Sequence, residues 1–238
     1  MFIDFFREML ANFSKPTYLV GQTLGFILVI ESFFIFLQKD RSKLLILKLV
    51  FDVATIFQLS LTGIALGTMT WITGALINLI GVGRETVCYF RGKKQWASRS
   101  GWLFLFGALF FLSPFATPAI DALVSGESGT LFDSVAAGYA EFFSTPKNWL
   151  VSFIPAAGSA LAVYGYYCMR TDATRIVVGV GTAMWFVYAL LIRNPMSVVS
   201  NFVALVSIGI GVIGDILAAK RAQAARKVAD SESAEEKL

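Results

Sequence analysis

Seven apolar stretches divide this chain into groups of three, one and three, and basic residues fall in alternate connections between them. A membrane-spanning helix needs roughly 20 mostly apolar residues, and the windows that qualify are about 17–37, 44–66, 68–90, 101–123, 149–169, 173–192 and 196–218. With 56% of residues apolar, 15% charged and a mean hydropathy of +0.69, the chain lies outside the range of soluble globular domains and requires lipid as its solvent. The expected fold class is an all-α membrane protein with seven transmembrane helices arranged as 3+1+3.

The residues around these windows define the remaining segments. Residues 1–14 place Phe2, Ile3, Phe5, Phe6, Met9 and Leu10 on one side of a helix and Asp4, Arg7 and Glu8 toward the other, which reads as an interfacial helix rather than a signal peptide. A first three-helix unit covers 17–92, and a single linking helix covers 101–123, where Pro114 and Pro118 are expected to kink or end it. An outer loop, 124–148, carries Leu131, Val135, Tyr139, Phe142 and Phe143 at roughly helical spacing, the pattern of an amphipathic helix. A second three-helix unit covers 149–219. The tail, 220–238, is charged, and its end, DSESAEEKL, is expected to be disordered.

Charge placement sets the orientation. Lys39, Arg41 and Lys43 follow the first span, Arg91, Lys93, Lys94 and Arg99 the third, Arg170 and Arg175 the fifth, and Lys220, Arg221, Arg226 and Lys227 the seventh. The other connections hold few basic residues. The positive-inside rule then puts the N-terminus outside and the C-terminus in the cytoplasm. Topology thus accounts for the formal net charge of +4, and no nucleic-acid partner is implied. The chain has no histidine, which removes the commonest metal ligand and proton shuttle. Cys88 and Cys168 sit at the expected cytoplasmic ends of helices and read as packing thiols. No nucleophile arrangement and no cofactor site is legible, so an enzyme is not expected.

Sliding the last three spans back by about 130 positions lays GVIGDIL over GVGRETV, so that Gly81 meets Gly211, Val82 meets Val212, Glu85 meets Asp215 and Arg91 meets Arg221. Because an odd number of spans separates the two units, both must face the same way. They are expected to be parallel repeats about an axis along the membrane normal.

The stretch Gly21 to Lys43 (GQTLGFILVIESFFIFLQKDRSK), the second element with Asn78, and the run from Pro155 through Arg175 to Trp185 and Asn201 resemble the YgjV family of bacterial inner-membrane proteins. More distantly, the chain is similar to the three-helix-repeat carriers: SWEET facilitators, PQ-loop proteins and PnuC vitamin transporters. The Pro-Gln dipeptide of PQ-loop proteins is absent. The resemblance implies a multi-pass protein of the bacterial inner membrane. It also implies a pocket to which the third helix of each repeat offers an asparagine, for which Asn78 and Asn201 are the candidates.

Polar and aromatic residues near mid-membrane are costly against lipid and therefore mark a candidate site. These are Gln58, Asn78, Trp185 and Tyr188, with Asn201 in the outer half of its span and Trp71 near the outer end of its own; their amides can bond hydroxyls or ring nitrogens and their aromatic faces can stack on a sugar or base. The alternative is that the amides join helices and Trp71 anchors the interface. A second group, Glu31, Asp52, Arg84 and Glu85 with Lys48, reads either as a gate or proton-coupling set or as a neutral structural network. Lys48 and Asp52 stand one turn apart, and Glu31 is positioned to answer Arg84. Two function classes follow: a facilitator or secondary carrier of a small, largely neutral polar metabolite such as a nucleoside, vitamin or sugar, or a non-transporting membrane scaffold or regulatory subunit. The partners implied are a small polar solute and the lipid bilayer, and a homo-oligomer is compatible with both classes.

Overall fold

The structure, a computed structural model, describes residues 11–67, 69–125, 130–167 and 171–235. The expected interfacial helix at 1–14 therefore lies almost wholly outside the described residues, and Cys168 and Arg170 lie outside them too. Among the described residues eight α-helices follow one another: α1 (Pro16–Ile35), α2 (Arg41–Leu66), α3 (Thr70–Phe90), α4 (Gly101–Ser125), α5 (Leu131–Ser144), α6 (Pro146–Tyr167), α7 (Thr171–Leu191) and α8 (Pro195–Glu235). A short 3-10 turn, Gln95–Ser98, leads into α4, and no strand occurs among the described residues.

Six of these helices, α1, α2, α4, α6, α7 and α8, are long and apolar enough to cross a membrane. Seven were expected. The exception is α3, which has 21 residues but carries Asn78, Arg84 and Glu85, all buried against its neighbours.

Local chemistry sets the helix ends. The Asp40 side chain accepts from the Ser42 amide (2.7 Å) and caps α2, which stops at Gly67 in the left-handed conformation (φ 64°) with its amide bonded to the Gly63 carbonyl. Of the two outcomes expected at Pro114 and Pro118, ending α4 does not occur, since the helix runs through both to Ser125. Pro114 cannot bond the Phe110 carbonyl four residues back, and the Ser113 hydroxyl donates to that carbonyl instead (2.7 Å). The tail, in turn, is not disordered over the described part of DSESAEEKL, because α8 continues to Glu235. The run after Leu217 is rich in Ala, Lys and Arg, which are strong helix formers.

Packing follows chain order around a ring: α1 against α2, α2 against α3, α3 against α6, α6 against α7, α7 against α8, and α8 back against α1. Outside the ring, α4 packs on α3 and α6, tied by Thr73 Oγ1 to Thr117 Oγ1 (2.6 Å) and to Ser152 Oγ (3.1 Å). The α5 helix docks on α4 and α6. Tyr139 donates to the Phe115 carbonyl (2.6 Å), and Phe142 is fully buried.

Burial runs opposite to that of a water-soluble protein. Phe26, Phe57, Ile64, Leu79, Phe104 and Phe111 are exposed, whereas Gln22, Asp52, Gln58, Asn78, Arg84 and Glu85 are inside. Lipid tails supply no hydrophobic force between helices, so the interior is held by close contact and polar bonds. Cross-helix bonds also define two ends. Lys15 meets the Ala65 carbonyl (2.8 Å) at the Pro16 end, while Arg41, Arg175 and Tyr167 bond helix ends at the opposite, basic end.

Candidate functional site

Between α1–α3 and α6–α8 lies a cavity of about 80 Å³. Its walls include Asn78 on α3, Trp185 and Thr182 on α7, Asn201 on α8, Ser159 on α6 and Ser32 on α1, with Lys48, Asp52 and Arg84 toward the basic end. A single water needs roughly 10–15 Å³ of such space, so the cavity can hold several waters.

Asn78 and Asn201, one from each group of three helices, are built alike. Each donates its amide nitrogen to the carbonyl four residues back on its own helix: Asn78 to Gly74 (2.7 Å) and Asn201 to Ser197 (2.7 Å). That bond fixes the rotamer and leaves the amide oxygen as the group each can offer to a solute. The Trp185 indole donates to Ser159 Oγ (2.9 Å), which holds the ring against the cavity wall. In the ungapped repeat register Asn201 falls opposite Trp71 and not opposite Asn78, yet both asparagines reach one cavity.

Three expected site residues are not in its lining. Gln58 is fully buried nearer the Pro16 end, where its Nε2 donates to Asn194 Oδ1 (3.1 Å) and its Oε1 accepts from Ser197 Oγ (3.2 Å). Tyr188 is buried over Gly74, and a Cβ added there would lie 2.8 Å from its hydroxyl. Trp71 fills the space that Gly63 leaves open and borders a separate void of about 10 Å³ with Thr62 and Asn194. Gln22, bonded to Thr62 (3.3 Å), is buried with Gln58 and Thr62 toward the Pro16 end.

Replacing Gln58 with leucine removes bonds to both Asn194 and Ser197 in a site without water access. A loss of about 1–2 kcal/mol of stability is expected, measured by denaturant unfolding in micelles.

The charged group resolves into pairs. Lys48 bonds Asp52 within α2, and Asp52 is 1% exposed. The Arg84 fork closes on Glu85 Oε1 through Nη2 (2.5 Å) and Nε (3.1 Å), and Arg84 lies over the rings of Tyr166 (4.4 Å) and Phe110 (5.1 Å). Arg84 is therefore answered by Glu85 and not, as expected, by Glu31, because its immediate neighbour on α3 is already within reach. Glu31 is half-buried and lies near Lys48 and Asp52. Asp52 and Arg84 line the cavity, whereas Glu31 and Glu85 do not. Asp52 Oδ2 and Glu85 Oε2 converge over Gly81, where a Cβ would lie 2.5 and 3.4 Å from them.

Sequence reasoning missed Arg41 and Arg175, assigning them only to basic turns. Arg41, the first residue of α2, donates to the carbonyls of Cys88 (3.0 Å) and Tyr166 (2.9 Å). Arg175, near the start of α7, donates to the carbonyls of Phe36 (3.1 Å), Gln38 (3.0 Å) and Gly211 (3.3 Å), and pairs with Asp215. In the register offset by 130, Arg175 falls opposite Leu45, one helical turn beyond Arg41, so the correspondence needs a gap to appear.

No group of His, Cys, Asp and Glu suited to a metal ion occurs among the described residues. No curated protein and no solved structure matches the chain. One family model, Imp-YgjV, described as a bacterial inner membrane protein, matches residues 19–218. Its match covers all six apolar helices wholly or in large part. The chain belongs to the Imp-YgjV family and is a multi-pass protein of the bacterial inner membrane.

Proposed function

We propose that the chain is a carrier, not an enzyme, which moves a small, largely neutral polar metabolite between two parallel three-helix units, α1–α3 and α6–α8, joined by α4. In this reading α3 is the seventh span, the N-terminus is outside, and the basic end faces the cytoplasm. The observation that carries it is the cavity between the units, to which each unit contributes one asparagine held in the same way. The ring supports the repeat: exchanging the units turns the α3–α6 contact into the α8–α1 contact. Parallel repeats about an axis along the membrane normal are the kind that SWEET carriers use.

Charge argues for a neutral solute. The cations that line the cavity, Lys48 and Arg84, are paired with Asp52 and Glu85, so the walls carry little net charge toward a ligand. Asparagine oxygens and the Trp185 ring suit hydroxyls, amides and flat heterocycles. At about 80 Å³ the cavity is too small for a nucleoside, and the two units must part to admit one.

The test is uptake into proteoliposomes of a panel of nucleosides, vitamins and sugars, with and without a proton gradient. Trp185→Ala is expected to lower uptake of the transported class at least tenfold, and Glu31→Gln to remove gradient dependence if Glu31 couples the proton. Uptake equal to that of empty liposomes across the panel would defeat the carrier reading and favour the scaffold or regulatory subunit, which needs the polar interior only as an adhesive.

A further inference from the structure

The contacts of Arg41 and Arg175 form a pattern that the carrier reading does not by itself require. Arg41 bridges α3 of its own unit, through the Cys88 carbonyl, to α6 of the other unit, through Tyr166. Arg175 bridges α8 of its own unit, through Gly211, to the end of α1 in the other, through Phe36 and Gln38. Exchange of the units turns one set into the other: own third helix and opposite first helix in both cases. The carbonyls of Cys88, Tyr166 and Phe36 lie in the last turn or at the cap of their helices, where no intrahelical donor remains and the helix dipole favours a cation. A planar guanidinium holds its donors in a rigid fork and so can grip two such carbonyls on different helices with little loss of freedom, whereas an ammonium offers three freely rotating donors from a single point.

Two further details connect these bridges to the cavity. Phe36 and Tyr166, whose carbonyls are gripped across the unit boundary, both line it. Gly211 leaves room for the grip, since a Cβ there would lie 2.8 Å from Arg175 Nε and 3.0 Å from the Phe36 carbonyl and would make them shift. The cavity is thus bounded at the basic end by the same two residues that the arginines hold.

We propose that Arg41 and Arg175 are reciprocal clasps that form the gate on the basic end, and that both release when the cavity opens to that side. The proposal rests on the carrier reading for its purpose, but its geometry stands alone. Opening requires the ends of α1 and α6 to move away from the opposite unit, and each is held there by one clasp. Asp215 gives the released Arg175 a partner within its own unit.

The test uses full-length protein with Cys88 and Cys168 replaced and a single Ala204→Cys in the cavity wall. An impermeant maleimide is added from the basic-end side. Arg41→Ala and Arg175→Ala are expected to raise the labelling rate at least tenfold, and the Lys variants by a smaller factor. Folded variants that label within twofold of the parent would make the arginines static braces. Should the Ala variants fail to fold, the Lys variants report the same quantity. The parent itself gives a second readout through spin labels at Lys43→Cys and Lys220→Cys, one on each unit. Two distance populations are expected, with Arg→Lys favouring the longer; one fixed population in all variants would overturn the gate. Altered labelling without uptake removes the carrier reading and keeps the gate, whereas normal uptake with unaltered labelling does the reverse.

Discussion

Arg84→Ala is expected to be the most damaging single polar substitution in the bundle, costing about 3–5 kcal/mol. Both members of the ion pair are buried, Arg84 at 4% exposure and Glu85 at none, so truncating one leaves the other as an uncompensated charge away from water. Arg84 also lies between the rings of Phe110 on α4 and Tyr166 on α6, so its loss opens space where three helices meet. The double variant Arg84→Met, Glu85→Leu removes both charges and keeps the volume. It should recover most of the loss, since an ion pair replaced by apolar groups of similar size is often nearly neutral. Reversible unfolding in mixed micelles measures both. A double variant as unstable as Arg84→Ala would mean that the pair is held by contacts other than its mutual charge.

Glycine positions give the second large effect, with opposite signs at two sites. At the crossing of α6 and α7 the backbones of Gly158 and Gly181 touch: a Cβ on Gly181 would lie 2.7 Å from the Gly158 carbonyl, and one on Gly158 would lie 3.0 Å from that of Gly181. The obstacle is backbone on both sides and cannot rotate away. Gly181→Val should therefore force the helices apart and cost about 3 kcal/mol. Gly209, on α8, has nothing within 4 Å of its would-be Cβ. Gly209→Ala should be neutral or stabilise by up to about 1 kcal/mol through helix propensity. Midpoints of unfolding compared within one micelle composition would decide it, and equal shifts at the two positions would refute the reading.

These glycines also mark what the sequence can and cannot reveal. Hydropathy and length locate the helices well, because the cost of an unbonded backbone in lipid leaves helices as nearly the only option. The windows 44–66 and 101–123 fall inside α2 and α4. Which glycine faces a neighbour is a matter of helix rotation, and small residues look alike in one dimension whether they meet a backbone, as Gly181 does, or lipid, as Gly209 does. The same holds for the polar residues. Asn78, Trp185 and Asn201 reach the cavity, while Tyr188 packs over Gly74, and Gln58 and Trp71 lie nearer the Pro16 end, outside its lining. The Arg84–Glu85 pairing was hidden for another reason. Adjacent residues on a helix ordinarily diverge, and only the long arginine stem folding back makes the contact. Arg41 and Arg175 could not be found as partners of carbonyls, because backbone acceptors leave no mark in a sequence.

The length of α8 has a mechanical consequence. Its 41 residues correspond to about 60 Å of rod, roughly twice the thickness of the hydrocarbon core. The part beyond residue 218 stands about 25 Å clear of the apolar span. Under the carrier proposal, a rod rooted in one of the two units is a lever. A tilt of about 10° around the bilayer centre would swing its tip by about 7 Å, while atoms beside the cavity shift by only a fraction of that. In the proposed carrier the helix would thus magnify the smallest motion at the place easiest to watch, and a fluorophore near its end would follow the proposed cycle without touching the cavity.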